Sequence, residues 1–327
     1  MVIDLHAHYL PRSLLEAIEK EGGPYGAFLR KDGGDPTIMV AGVPYGPICR
    51  HYYETPPRIA DMDKAGVDLQ VLSLSPPMVY WADAALGTRL ARLFNDELAA
   101  ACAAAPDRLA GLATLPVQDV TASIAELDRA MLQLGLRGAA IGSNIRGKEL
   151  DDPELLPLFA RAEELKAVIF LHPIDVVGAG SRLKGYYIVN GLGNPFDTAI
   201  AASRLMYGGI LDRFPKLQVV LAHAGGALPY VVGRLDHVYK VRPEGKAGNA
   251  KRKPSAYLRR FHYDTIAHAG EALRYLVSLV GSDRVVVGSD YRYDMGLLDP
   301  LRPLDDLSPA DRKVILKGAS AERMLRL

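Results

Sequence analysis

Short apolar runs alternate along this chain with longer stretches in which apolar residues recur three and four positions apart. The runs fall at 2–6, 68–74, 109–115, 138–142, 167–172, 217–223, 261–265 and 284–290. Several, such as DLQVLSL, KLQVVLAH and RVVVGSD, are almost continuously aliphatic. A strand covered on both faces has no polar side to show, so these runs predict buried parallel strands. Between them, 88–104 and 121–134 carry an apolar stripe at helical period. The first stops before Pro106 and the second before Gly135, residue types that end helices. Segments 153–165 and 271–280 predict further helices. Eight strands with intervening helices predict an α/β fold, a closed (β/α)8 TIM barrel forming a single domain over 1–327.

Two connections are too long for simple crossovers. Segment 10–57, rich in Gly, Pro and Tyr, is an expected loop insertion after the first strand. Segment 173–195, with GAGS and NGLGNP, is a second after the fifth strand. Both leave the C-terminal ends of strands, where barrel active sites lie, which predicts loops that cover a substrate. Dimer contact or surface decoration is the plainer alternative. The basic, Gly- and Pro-containing segment 240–254 predicts a solvated loop.

Charge adds little to this picture. Lys and Arg total 39 against 38 for Asp and Glu, a net charge of +1, so neither nucleic acid nor an anionic membrane is an expected partner. No apolar stretch is long enough to span a bilayer. The opening MVIDLHAHYL has no basic leader and no long apolar segment, which predicts a cytoplasmic protein. Cys49 and Cys102 form no disulfide framework, fit a reducing compartment and are assigned no chemistry. No Gly-rich dinucleotide fingerprint is present.

The chemistry sits at strand ends. His6 and His8 close the first strand as HAH, and residues two apart on a strand share a face. His172 ends the fifth strand, His223 the sixth and Asp290 the eighth. Half of the chain's eight histidines therefore fall on the rim where barrel chemistry collects. Nitrogen and oxygen donors without thiolate suit a divalent metal, Zn2+ first, with Mn2+, Fe2+ or Co2+ compatible.

These blocks read in order as DLHAHYLP, RIADMDKAGVDLQVLS, LHPID, LDRFPKLQVVLAHAGGALPYVVGRLDH and DRVVVGSDY. The chain resembles, nearly end to end, the amidohydrolase superfamily, in the branch of aminocarboxymuconate-semialdehyde decarboxylase and related metal-dependent decarboxylases. The resemblance implies that His6, His8, His172 and Asp290 hold the metal and that His223 is the acid/base beside it. A further-ligand role is the alternative for His223. Arg234 matches a family arginine that reaches the neighbouring subunit's site, which implies a homodimer or higher homo-oligomer. A second family arginine is replaced by Gly46, and Arg50, four residues beyond it, is the candidate to bind the substrate carboxylate in its place. Many relatives read SDYP where this chain reads SDYRYDMG. Arg292 is thus expected at the rim, paired either with a substrate carboxylate or with Asp294 or another acid.

The implied activity is non-oxidative decarboxylation of a conjugated or aromatic carboxylic acid, a carbon–carbon lyase reaction in which His223 and Asp290 manage protons. Metal-dependent hydrolysis of an amide or lactone, or hydration of an unsaturated acid, would use the same ligands. A non-catalytic metal-binding barrel is the reading outside enzymes. Weaker candidates are Asp175 as an orienter of a ligand, Asp264 and His268 at the end of the seventh strand, and Tyr9, Tyr80, Trp81, Tyr186 and Tyr187 as stacking partners of a planar substrate.

Overall fold

The computed structural model describes residues 1–327. Eight parallel strands follow one another around a closed sheet: β1 (Ile3–His8), β2 (Leu69–Ser73), β3 (Leu109–Gly111, continued by Ala113–Thr114), β4 (Gly138–Gly142), β5 (Val168–His172), β6 (Gln218–Leu221), β7 (Phe261–Asp264) and β8 (Val285–Val286). Each pairs with the next. The ring closes where Asp4 bridges Val287 and the Leu5 N–H donates to the Val287 carbonyl at 2.9 Å. All eight apolar runs supply a strand. The last is shorter than 284–290, because beyond Val287 the pairing with β1 is irregular, resuming only where Ala7 bridges Tyr291 after the turn at Asp290, whose φ is 56°.

A β-bulge in β1 sets up the site. Asp4 pairs with Gln70 but Ala7 with Leu72, so one strand gains a residue on the other. Ile3 and Leu5 lie in the barrel's interior core with Val71, Phe170 and Val220. Beyond Leu5 the phase shifts, and His6 and His8 take over the inward positions at the C-terminal mouth. At the opposite mouth, Ala321, Met324 and Leu325 of the Ala319–Leu325 helix join the interior core.

Between sheet and helices lies a larger core of 71 residues. The helix Ala84–Ala104 contributes Leu90, Phe94 and Leu98 at four-residue spacing and is capped by Asp83, which accepts the Leu86 N–H at 2.8 Å. Helices the apolar pattern did not single out run over Arg12–Glu21, Thr55–Ala65, Asn194–Tyr207 and Leu228–Val241.

The first long connection is more than a loop. It holds the Arg12–Glu21 helix and a small antiparallel sheet of Ala27–Arg30, Thr37–Val40 and Val43–Tyr45. Segment 173–195 is mostly irregular and ends in a wide turn, Val189–Gly193, that feeds the Asn194–Tyr207 helix.

Arg58 fixes the β1–β8 seam from behind. It is 1% exposed, donates to Gln70 Oε1 at 2.8 Å and to the His8 carbonyl at 2.6 Å, and lies 4.8 Å over the Tyr291 ring. Gln70 passes the network on to Asp4 at 2.9 Å, and Asp4 accepts the Ser289 N–H at 3.0 Å. Burial pushes the Asp4 carboxyl up to about 6 and the Arg58 guanidinium down to about 10. The strands that carry the metal-competent residues are thus tied together by buried polar contacts on their outer face.

Candidate active site

His6, His8, His172 and Asp290 converge at the C-terminal mouth, with one ligand atom from each lying within 4.8 Å of all the others, and all four are buried. His8 Nε2 is 3.0 Å from Asp290 Oδ1, His6 Nε2 is 3.4 Å from the same oxygen, and the two Nε2 atoms are 3.2 Å apart.

The outer nitrogens of these imidazoles decide their tautomers. His6 Nδ1 faces Asp264 Oδ2 at 2.7 Å, and His172 Nδ1 faces the Pro173 carbonyl at 3.0 Å. A carboxylate and a carbonyl only accept, so both Nδ1 atoms carry the proton, and the neutral form of each ring presents its Nε2 lone pair inward. Ser73 Oγ lies 3.5 Å from His8 Nδ1. Asp290 Oδ1 is buried without a hydrogen-bond partner. Bare imidazole lone pairs and a carboxylate oxygen facing one point repel one another unless a cation lies between them. The donor set therefore fits a divalent metal.

The electrostatics agree. Burial alone would raise Asp290, but His6, His223 and His8 hold its carboxyl well below the usual range. Burial and the neighbouring imidazoles press His172 well below its ordinary value, and burial lowers His8. At His6, burial is outweighed by Asp290 and Asp264, which push the imidazole up to about 10, so its Nε2 must hold either a proton or, in its place, a metal cation. The two acids demand positive charge at this point.

His223 stands beside the cluster. Its Nε2 is 3.4 Å from Asp290 Oδ2, the oxygen turned away from the histidine ligands, and its Nδ1 is buried without a partner. Four successive residues, His223 to Gly226, have positive φ. Gly226 is required there, since a Cβ would lie 2.1 Å from the Pro195 carbonyl oxygen. This turn points backbone N–H groups at Asp264, which accepts from His223 at 2.8 Å and from Ala224 at 2.7 Å. Burial would raise Asp264, but His6 and these donors hold it low. Asp264 thus orients one metal-competent histidine with its side chain and positions His223 through the backbone.

Two cavities share His223, Asp290, Asn190 and Asn194 as walls. One, of about 570 Å3, is further lined by Ile266, His268, Tyr275 and Met295. The other, of about 180 Å3, is lined by His172, Tyr45, Tyr187 and Tyr293. Tyr293 donates to Ser75 Oγ at 2.8 Å, and its ring lies 5.5 Å from that of His8.

None of the three candidate arginines lines the cavities of its own chain's site. Arg292 turns over the Tyr291 ring and lines a separate cavity with Asp61 and His51, and it forms no ion pair with Asp294. Arg50 is exposed on the short Arg50–Tyr52 turn, and Arg234 is exposed on the Leu228–Val241 helix. No Lys or Arg lines either cavity. Asp175 is exposed and orients no ligand. The buried acid nearby is Asp197, which accepts the Val177 N–H at 3.0 Å and the Ser143 hydroxyl. Tyr9 and Tyr80 are core residues, and the Tyr80 hydroxyl accepts the Gly142 N–H at 3.1 Å. Trp81 Nε1 donates to the Met78 carbonyl at 3.0 Å, Tyr186 projects into solvent, and only Tyr187 reaches the site. The sequence reading did not identify Arg58, Tyr45, Tyr293 and the two asparagines. The NGLGNP motif held the asparagines, and a cation inside the apolar face of RIADMD marked Arg58.

The amidohydrolase family model matches residues 3–327. The chain is 36% identical to 2-amino-3-carboxymuconate-6-semialdehyde decarboxylase of Dictyostelium discoideum, covering 98% of this chain and 90% of that one. Among solved structures, 5-carboxyvanillate decarboxylase from Sphingomonas paucimobilis superposes with a TM-score of 0.84 at 29% identity, covering 100% and 99%. Dihydroxybenzoic acid decarboxylase from Polaromonas sp. JS666, with bound manganese and the inhibitor 2-nitroresorcinol, does so with a TM-score of 0.79 at 25% identity, covering 100% and 97%.

Proposed function

This chain belongs to the amidohydrolase family, and from that premise we propose that it is a metal-dependent, non-oxidative decarboxylase of a conjugated or aromatic carboxylic acid, a carbon–carbon lyase. The observation that carries the reading is the buried His6, His8, His172 and Asp290 cluster with His223 hydrogen-bonded to the outer oxygen of Asp290. Relatives that match over most of the chain include decarboxylases of such acids. The 327 residues act as one domain, with 10–57 as its insertion.

When bound by these four residues, a divalent ion supplies Lewis-acid charge to a substrate oxygen. The donor set favours zinc, and manganese is the ion in the Polaromonas relative. His223 delivers a proton to the carbon that bears the carboxylate, while Asp290 Oδ2 keeps the imidazole aimed. The carbon–carboxylate bond then breaks, its electron pair restores the conjugation that protonation interrupted, and CO2 leaves. Tyr45, Tyr187 and Tyr293 offer flat walls to a planar ring.

No cation of the same chain lines the cavities, so Arg234 from a second copy is the proposed counter-charge for a substrate carboxylate, which makes the active form a homodimer or larger. Two free cysteines fit a cytoplasmic location, and no helix is long and apolar enough to cross a membrane.

Turnover of conjugated and aromatic mono- and dicarboxylates in D2O tests the assignment. One CO2 per product, with one deuterium on the carbon that lost it, is the expected result. Solvent oxygen in the product without CO2 would move the assignment to a hydrolase or hydratase. Turnover that survives complete chelation would remove the metal from it.

A further inference from the structure

The end of the barrel away from the active site carries a further cavity, of about 380 Å3. Its walls carry Lys166, Lys216, Arg284, Arg323 and Arg326 around the imidazole of His262. Lys166, Gln218, His262 and Arg284 lie at or just before the starts of β5 to β8, and the Ala319–Leu325 helix brings Arg323 across the opening. The interior core, with Val168, Phe170, Val220 and Val286, separates this mouth from the metal-competent cluster.

The charges here are not balanced. The one carboxylate in the wall, Asp283, is taken by Arg259, which donates to its two oxygens at 3.1 and 3.0 Å, and it lies 3.4 Å from Arg284 Nε. Lys166, Lys216, Arg323 and Arg326 have no ion-pair partner. Five cations around one small cavity repel one another, and nothing in the fold of a barrel requires them to converge there. A second, independent feature points the same way. His262 is 5% exposed, yet its Nδ1 is buried without a hydrogen-bond partner. Buried polar atoms of this kind normally have partners.

We infer that the N-terminal mouth of the barrel binds a small, multiply charged oxyanion of the phosphate type, held by Lys216, Arg284 and Arg323 with His262 at its floor. Guanidinium groups match the tetrahedral oxygens with paired N–H donors, and lysines add point charge. A volume of about 380 Å3, open to solvent, suits a free phosphate or the phosphate of a small metabolite. The site lies outside the decarboxylation chemistry and stands whether or not that assignment holds.

Isothermal titration of the metal-loaded protein with inorganic phosphate tests the inference, with Lys216→Ala/Arg323→Ala as the comparison. Both side chains are exposed and unpaired, so the double variant is expected to fold, retain its metal and keep its turnover. Its phosphate affinity is expected to fall at least tenfold. In the unmodified protein, phosphate is expected to shift the His262 ring resonances in an NMR spectrum. A simple sugar phosphate titrated in parallel separates the two sources, with tighter binding than inorganic phosphate assigning the site to a metabolite. No phosphate binding, or equal binding by the double variant, overturns the inference. The latter result would place the anion at the catalytic metal instead.

Discussion

His6 Nδ1 and Asp264 Oδ2 are 2.7 Å apart, and the same carboxylate accepts the backbone N–H groups of His223 and Ala224. One buried acid on β7 therefore sets the tautomer of a metal-competent histidine and the position of the proposed proton carrier. Asp264→Ala is expected to weaken metal binding by ~10–100-fold, the usual cost of losing the partner of a ligating histidine. Competition against a chelator of known affinity measures it. Unchanged metal affinity would mean that Asp264 only closes the turn.

His223 meets Asp290 through the oxygen that the other histidines leave free. His223→Ala is expected to retain the metal and lose ~10²–10⁴-fold in kcat. Metal content and kcat measured on the same preparation separate a proton carrier from a fifth ligand. If metal is lost in step with activity, His223 is a ligand.

Arg234 is exposed and has no ion-pair partner within its own chain. Arg234→Ala is expected to raise KM for a carboxylate substrate by the equivalent of ~2–5 kcal/mol, because one partner of a desolvated charge pair is removed. Arg50→Ala and Arg292→Ala are expected to leave KM near its original value, since neither residue lines a cavity beside the metal cluster. Steady-state kinetics on the three variants rank them, and an unchanged KM for Arg234→Ala would end its assignment.

Arg58 is buried with its guanidinium satisfied by Gln70 and backbone carbonyls. Arg58→Leu strands Gln70 Oε1 and the His8 carbonyl, and is expected to destabilise the fold by about 2–5 kcal/mol. Denaturant unfolding monitored by circular dichroism gives the value. A change below about 0.5 kcal/mol, the range of surface substitutions, would show that the seam holds without it.

His262 carries the clearest pH signature away from the metal cluster. Burial, with the nearby charges of Arg284 and Arg323, lowers its pKa to about 4 from an ordinary 6.5. The native state keeps it neutral while the unfolded chain takes up a proton, so its contribution is complete above about 6.5 and is lost as the pH falls towards 4. The loss amounts to roughly 3 kcal/mol. Unfolding free energies at a series of pH values in this window are expected to fall less steeply for His262→Gln than for the unmodified protein. Parallel curves for the two proteins would show that His262 does not titrate there.

Much of this protein is determined by local patterning. A strand buried on both faces must be apolar, so eight runs marked eight strands, and HAH, FLHP, LAHAGG and VVGSD marked their functional ends. The four metal-competent residues and His223 were legible because their chemistry and their place at strand ends coincide. Tertiary structure decided what depends on distance between segments. The β1 bulge that turns His6 and His8 inward arises from pairing with β2, which no local spacing records. Asp264 gained its role from the loop after β6 that folds over it, and Arg58 from the carbonyls that surround it. The place of Arg292 was not legible, because two residues beyond a ligand is a distance along the chain, and the backbone turns there, carrying the guanidinium to another cavity. The cationic mouth at the far end draws its residues from 166, 216, 262, 284 and 323, which only the closed ring brings within reach of one another.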